Sequence, residues 1–503
     1  MEISSSIVTD YYSVSLLLLF TALLVPFLVL GKRNKTYHLP PGPSGWPILG
    51  NLVQISNQTL QVYFQKLHQQ YGSIYTVRLG YQPLIMVASH ELAHEALIEK
   101  SSIFASRPPA QGLSKLFSSN QTNINTAAYG PLWRTLRRNL VSETLNPAAL
   151  NSFRKGRERT VNLLIDALRT EAGQNEGAVK VMDHLRRAVF NILVFMCFGI
   201  RLEEEAVTAV QNVTRELILS GGGLPLDAIY PKLRVFYRKR WKRMQGIRQR
   251  QVETFLPLIN ERRAALAEGR AEDCRAYVDS LLSLTIDGGR KLNDGELVTL
   301  CFEFINAGTD TTSTTLQWAL ANLVIHQEIQ AKLYGEILDV AGKERRRVGE
   351  EDVQKMGYLE AVVKETLRRH PPGKLVLTHA VTEECRLGGF DVPAGAWVNF
   401  SVWDMGNDPK VWENPLQFLP ERFLNAEVDM TGSKEIKMMP FGVGRRICPA
   451  LGLAMLHLQL ILGRLVQTFA WESKGGEPVD VAEKPEFTMV MKNPLQAVLK
   501  ERD

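Results

Sequence analysis

The chain has 503 residues, 45% hydrophobic and 22% charged, proportions that permit a large buried core and exclude intrinsic disorder. A net charge of +6 is too mild at this length to point to nucleic acid. The five cysteines (Cys197, Cys274, Cys301, Cys385 and Cys448) stand far apart, an odd and sparse set that argues against a disulfide framework or a zinc finger and for a reducing compartment.

Residues 11–31 carry no charge and are rich in Leu, Val and Phe, enough to cross a bilayer as one helix. Pro26 is tolerated in such a helix. Lys32, Arg33 and Lys35 follow it, while Glu2 and Asp10 precede it. By the positive-inside rule the remaining chain stays cytosolic, whereas a cleaved secretory signal would carry its positive end on the other side. Residues 1–31 therefore read as a retained signal anchor. The sequons at Asn34, Asn57, Asn120, Asn212 and Asn399 should then be unglycosylated. Residues 32–51 are basic and rich in Pro and Gly, which stops the helix and makes a stiff connector. No repeat or composition shift divides residues 52–503, so one large helix-rich domain is expected.

Short β-prone runs at 74–79 and 84–87 flank Gly80-Tyr81-Gln82-Pro83 and predict a hairpin. Ser89 caps a helix running to Lys100. After a loop at 125–130, Pro131 opens a helix on which Trp133 and Arg137 share a face. Residues 147–284 read as mainly helical. Within them 230–250 is strongly basic with Phe236, Tyr237 and Trp241 interleaved, a solvated face or, alternatively, a contact for anionic lipid headgroups.

Residues 293–326 form the longest helical pattern, opened by a capping box of Asn293 and Glu296. Leu297, Leu300, Phe304, Ala307, Thr311 and Trp318 fall on one face. The middle of that helix reads Ala307-Gly308-Thr309-Asp310-Thr311-Thr312, which helix propensity does not explain. Such hydroxyls can back-bond to carbonyls one turn earlier, or an acid beside a hydroxyl can deliver protons. Further on, Glu365 and Arg368 lie three apart on a helix face. A second hairpin is expected over 387–400, turning at Pro393-Ala394-Gly395.

The stretch from Phe441 to Ala450 places Cys448 after a glycine-bearing loop with two arginines, just before an apolar helix. Loop and helix-start N–H groups should lower the pKa of its thiol and ready it for a metal. Gly442 and Gly444 let the backbone approach a flat partner, and Arg446 offers a cation to an anionic group on that partner.

Phe441, Gly444, Arg446 and Cys448 together resemble the haem-binding loop of cytochromes P-450, and the remaining motifs follow in that family's order from the anchor to the C-terminus. The resemblance implies a mainly α fold with small β-sheets, preceded by a single N-terminal transmembrane helix. It implies haem b with the Cys448 thiolate as axial ligand. Trp133, Arg137 and Arg446 would hold the haem propionates, joined by His379, for which an ordinary surface histidine is the alternative. Thr311 would hydrogen-bond the dioxygen and Asp310 would feed a proton relay. Glu365, Arg368 and Arg422 would form a buried ion network under the loop. Phe304, Ala307, Val376, Leu377 and Met489 would line the substrate pocket. One departure stands out: Ala450 replaces a glycine usual in the family, and its methyl could crowd the porphyrin.

At finer grain the chain is similar to plant microsomal enzymes of the branch that holds in-chain fatty-acid hydroxylases and epoxidases, with a chlorophyll-catabolite-oxidising sister family. This similarity implies a single-pass endoplasmic reticulum protein with a cytosolic catalytic domain. Electrons would come from NADPH through cytochrome P-450 reductase, docked near Arg134 and Arg138, with cytochrome b5 as a second partner. Fatty acids are the first expected substrates, ahead of chlorophyll catabolites, terpenoids or phenolics. The rival classes are a reductase-independent isomerase or lyase of the same fold, and a non-enzymatic haem or scaffold protein.

Overall fold

The computed structural model describes residues 37–56, 60–220, 230, 237–269, 274–342, 346–424 and 427–502. The expected anchor lies outside these residues, as does part of the basic run at 230–250. Six helices carry the argument: α1 (Pro131–Asn139), α2 (Val181–Phe198), α3 (Arg238–Ala267), α4 (Asp294–Ile325), α5 (Gly357–Arg369) and α6 (Leu451–Thr468). Four strands form the largest sheet among the described residues: β1 (Ile74–Leu79), β2 (Gln82–Val87), β3 (His379–Ala380) and β4 (Trp397–Phe400). The protein is thus mainly helical, with small sheets.

Helix α4 is the axis of the core. Its start is the predicted capping box: the Asn293 side chain accepts from Glu296 N at 3.0 Å, and Glu296 accepts from Asn293 N at 2.9 Å. It packs against α2, α3, α5 and α6. A Cβ on Gly308 would come within 2.7 Å of the Leu193 side chain, so this glycine lets α2 lie close to α4. Helix α6 is long and apolar enough to cross a membrane, yet it is mostly buried inside the protein. An all-round apolar helix in that position is a core helix.

Strands β1 and β2 pair antiparallel from Ile74↔Val87 to Leu79↔Gln82. The hairpin therefore turns at Gly80 and Tyr81, with Gly80 at φ 67°, and Gln82 and Pro83 belong to the strand instead of the loop. The sheet order is β1-β2-β4-β3, with β4 parallel to β2 and His379 of β3 opposite Val398. The second expected hairpin is corrected. Cys385–Leu387 pairs with Phe390–Val392 around Gly388 and Gly389, at φ 57° and 83°. Consecutive positive φ values favour that pair as a tight hairpin turn, so Pro393–Gly395 instead leads the chain into β4. The predicted 89–100 helix is also divided, into His90–His94 and a π-helical turn over Glu95–Glu99.

Candidate functional site

One large cavity lies between α4 and the loop before α6. Its wall includes Phe304, Ala307 and Thr311 from α4, Trp133 and Arg137 from α1, Val376, Leu377 and His379, and Phe441, Arg446 and Cys448. These expected site residues, up to 315 positions apart (Trp133 to Cys448), are brought together by the fold. Met489 is not in this wall. Its N–H donates to Pro372 O at 2.9 Å and its carbonyl accepts from Trp318 Nε1 at 2.9 Å. The final turn is therefore held against Trp318 of α4 and against Pro372, which itself lines the cavity, so Met489 lies beside the wall without forming part of it. Trp318, expected on the same face as Thr311, is fully buried and stacks on His370.

The loop geometry follows from its glycines and arginines. Gly442 and Gly444 have φ values of 66° and 71°, and a Cβ on Gly444 would lie 2.0 Å from Leu97 O. Cys448 N donates to Phe441 O at 2.8 Å. Arg446 donates to the carbonyls of Ala105 at 2.6 Å, Ile124 at 3.1 Å and Ala127 at 2.5 Å, and its guanidinium lies over the Trp133 ring. Arg137 Nη2 donates to Ile447 O at 2.6 Å, one residue from the thiol. Ala450 has φ −101°, an ordinary value for an L-residue, so alanine there carries no backbone strain.

Electrostatics differ from the expectation in one respect. The Ala450 N–H and the Arg137 charge do favour the Cys448 thiolate, but burial outweighs both and pushes the thiol up. A metal cation at Sγ would invert that balance. The same walls concentrate positive charge. Burial pushes Arg446 down to about 9 and Arg107 down to about 10, and lowers Arg137 as well. Trp133 Nε1 and His457 Nε2 are buried without a partner. Buried donors and cations of this kind call for an anionic ligand.

His379 is buried, which removes the surface reading. Its Nδ1 lies 2.7 Å from Phe104 O; a carbonyl only accepts, so Nδ1 carries the hydrogen. Burial, with Arg107 nearby, pushes its pKa down to about 3. On α4 the Thr311 hydroxyl donates to Ala307 O at 2.8 Å, and Thr309, Ser313 and Thr315 back-bond similarly. Asp310 faces away from the cavity and accepts from Arg186 Nε of α2 at 3.0 Å. The acid and hydroxyl of the motif thus sit on different sides of the helix.

Beneath the loop, Glu365 is fully buried and accepts from Arg368 Nε and Nη2, both at 2.7 Å. It also accepts from Leu419 N at 2.8 Å and Arg422 Nε at 3.2 Å. Arg368 Nη1 continues to Gly406 O and Pro415 O.

Sequence reasoning passed over two cavity residues. Arg107 donates to Asn125 O at 2.9 Å and Leu377 O at 2.7 Å. Glu303 accepts from Ile124 N at 2.9 Å and Asn125 N at 2.7 Å. Their signals were present: an arginine locked before Pro108-Pro109, and an acid in the apolar run Cys301–Ile305, four residues before Ala307.

The family pattern described as Cytochrome P450 matches residues 40–500. The chain is 41% identical over 490 residues to Cytochrome P450 89A9 of Arabidopsis thaliana, covering 94% of this chain and 95% of that protein. It is 32% identical to flavonoid 3'-monooxygenase of Petunia hybrida, covering 95% and 96%, and 33% identical to isoflavone 3'-hydroxylase of Medicago truncatula, covering 97% of each. A zebrafish cytochrome P450 solved with progesterone superposes with a TM-score of 0.75 at 25% identity, over 89% of this chain and 100% of that one. The chain belongs to the cytochrome P450 family and is a monooxygenase of that haem-thiolate family.

Proposed function

We propose that the enzyme holds haem b through the Cys448 thiolate and inserts one oxygen atom from O2 into a small lipophilic substrate, by hydroxylation or epoxidation. Electrons come from NADPH through cytochrome P-450 reductase. The observation that carries this reading is that Cys448, the sole thiol among the described residues of the cavity wall, opens into the same space as Thr311. Bound haem supplies reductive activation of dioxygen and oxygen-atom transfer.

The chain's own residues fit that group. Arg446, Arg137 and the unpartnered Trp133 Nε1 receive its carboxylates, with Phe441 and Gly444 shaping the loop beside it; Arg107 adds a fourth donor. His379 joins them by taking a proton on Nε2, which a neighbouring carboxylate favours. Thr311 turns its hydroxyl from Ala307 O into the cavity to hand on a proton. Asp310 can replenish that proton only when its bond to Arg186 opens. Glu365, Arg368 and Arg422 hold the loop's support in place. Phe304, Ala307, Val376 and Leu377 shape the substrate side.

In this reading residues 1–31 anchor the protein in the endoplasmic reticulum membrane, 32–51 form the hinge, and 52–503 are the cytosolic catalytic domain. Arg134 and Arg138, both exposed on α1, offer a docking face to the reductase and to cytochrome b5. Among substrates, the family branch implied by the sequence places fatty acids first. One observation favours a second reading, an apolar molecule with a donor group, because the cavity wall carries the carboxyl of Glu303. The test is product formation by the purified full chain with reductase, across fatty acids, phenolics, terpenoids and chlorophyll catabolites. NADPH-dependent products are expected; turnover of an oxygenated substrate without NADPH and reductase would make the protein an isomerase or lyase.

A further inference from the structure

A second cavity, of about 620 Å³, opens where the C-terminal ends of α4 and α5 meet residues 416–421. Its size is within the range of small-molecule sites. Among the described residues none lines both this cleft and the cavity beside Cys448. Much of its apolar wall is open to water: Leu416 is 65% exposed, Val481 51%, Ile325 42% and Leu419 36%. Single exposed apolar side chains are ordinary, but four around one cavity, drawn from three stretches of chain, mark a place where a ligand is covered. Two further wall residues, His326 and the buried Phe418, have rings 6.0 Å apart and inclined by only 13°.

Arg369, the last residue of α5, stands half-buried in that wall. Its Nε donates to Leu416 O and its Nη1 to Asn407 Oδ1, both at 3.0 Å. A guanidinium has five N–H donors, so three have no acceptor among the described residues. The preceding Arg368 is bonded twice to Glu365. Arg369 bonds no carboxylate, and Glu365 and Glu483 act on it only from a distance. The acids of the cleft wall are engaged elsewhere. Glu421 accepts from Lys332 at 2.8 Å and from Tyr358 at 2.9 Å, and Glu328 lies 3.3 Å from His326 Nδ1. His370, also in the wall, stacks on Trp318 at 4.1 Å, and burial lowers its pKa and keeps it neutral. A partly desolvated guanidinium without a counter-ion favours a carboxylate, which matches its fork with two hydrogen bonds. We propose that this cleft is a second ligand site, separate from the haem cavity, for a small organic anion: a flat apolar body bearing one carboxylate. The carboxylate pairs with Arg369, and the body covers Leu416, Leu419, Ile325 and Val481.

The test is equilibrium dialysis of the full-length holoenzyme against 2-naphthoate and its neutral, nearly isosteric analogue 2-naphthamide, at about 0.15 M salt to screen weak surface binding. Saturating clotrimazole, whose imidazole nitrogen ligates iron, fills the haem cavity throughout. The wild type is expected to bind one naphthoate per chain, at least ~10-fold more tightly than the amide. Arg369→Gln should bring the two probes within about twofold. Arg369 also holds the Leu416 carbonyl, so a second variant serves if the first does not fold. Leu416→Asp changes an exposed side chain and leaves that carbonyl bond in place, while its new acid engages the guanidinium; the preference should again fall to about twofold. Equal affinity of the wild type for the two probes overturns the proposal. So does a preference that survives Arg369→Gln, or Leu416→Asp where the first variant does not fold. Naphthoate that binds only when clotrimazole is withdrawn belongs to the haem cavity, which also overturns it. Failure of both small molecules to bind does the same, and leaves the cleft as a seat for an acidic side chain of a partner protein. Dialysis needs no turnover, so none of these outcomes depends on the reaction at Cys448.

Discussion

At Thr311 the resting hydroxyl already has a partner, the Ala307 carbonyl. Removing it costs about 1 kcal/mol of stability at most, so its main effect should fall on chemistry. Thr311→Ala is expected to consume NADPH at a comparable rate but convert less of it to product, measured as product per NADPH oxidised. Unchanged coupling would remove Thr311 from the proton path. His379 makes a different statement. Its folded pKa of about 3 lies below the usual 6.5, so between those values the unfolded chain binds more protons than the native one. Stability contributed by this group is complete above 6.5 and falls with pH, by roughly 1.4 kcal/mol per unit, down to the folded pKa. In the haem-free protein, where no carboxylate faces Nε2, His379→Gln should flatten the dependence of unfolding free energy on pH between about 4 and 6. A slope as steep as that of the wild type would show that His379 is not held neutral.

Elements determine which residues meet. Glu365 on α5 pairs with the fully buried Arg368 and also accepts from the partly exposed Arg422, and Arg368 then fixes the carbonyls of Gly406, Pro415 and Gln417. Removing the acid strands a buried cation, a loss on the order of 3–5 kcal/mol. Glu365→Gln should show it as a lower denaturant midpoint, and a shift worth less than about 1 kcal/mol would mean the network is replaceable. The same scale shows what could be read from sequence. Helix α4 was legible to within a residue because its period, its capping box and its length agree. The Cys448 loop was legible because its glycines and arginines are fixed by close contacts such as Gly444 against Leu97. The 387–400 hairpin was misjudged because Pro-Ala-Gly and Gly-Gly are both turn signals, and only pairing with β2 decides between them. Met489 sits beside the wall because backbone bonds to Pro372 and Trp318 hold its turn there, partners that no local pattern names. Glu303 and Arg107 went unread because burial turns isolated charges into site residues, and burial is a property of the fold.

For the whole molecule, charge matters more by position than by sum. The net value of +6 is modest, yet Arg134 and Arg138 are exposed on α1, while Arg137 of the same helix turns inward toward the thiol. If that exposed face receives an acidic reductase, the rate of reductase-driven reduction should fall as salt rises, since exposed charges are screened beyond about 10 Å at 0.1 M. An Arg134→Ala, Arg138→Ala double variant should be slower at low salt and less salt-dependent; a salt-independent wild-type rate would place docking elsewhere. The claim on which all of this depends is that the Cys448 thiolate binds iron. It is tested most directly by the absorption spectrum of the reduced carbon monoxide complex of the purified chain. A red-shifted, thiolate-type Soret band in the wild type and its loss in Cys448→Ala is the predicted result. A haem-loaded wild type without that band, or a variant that keeps it, would contradict the account.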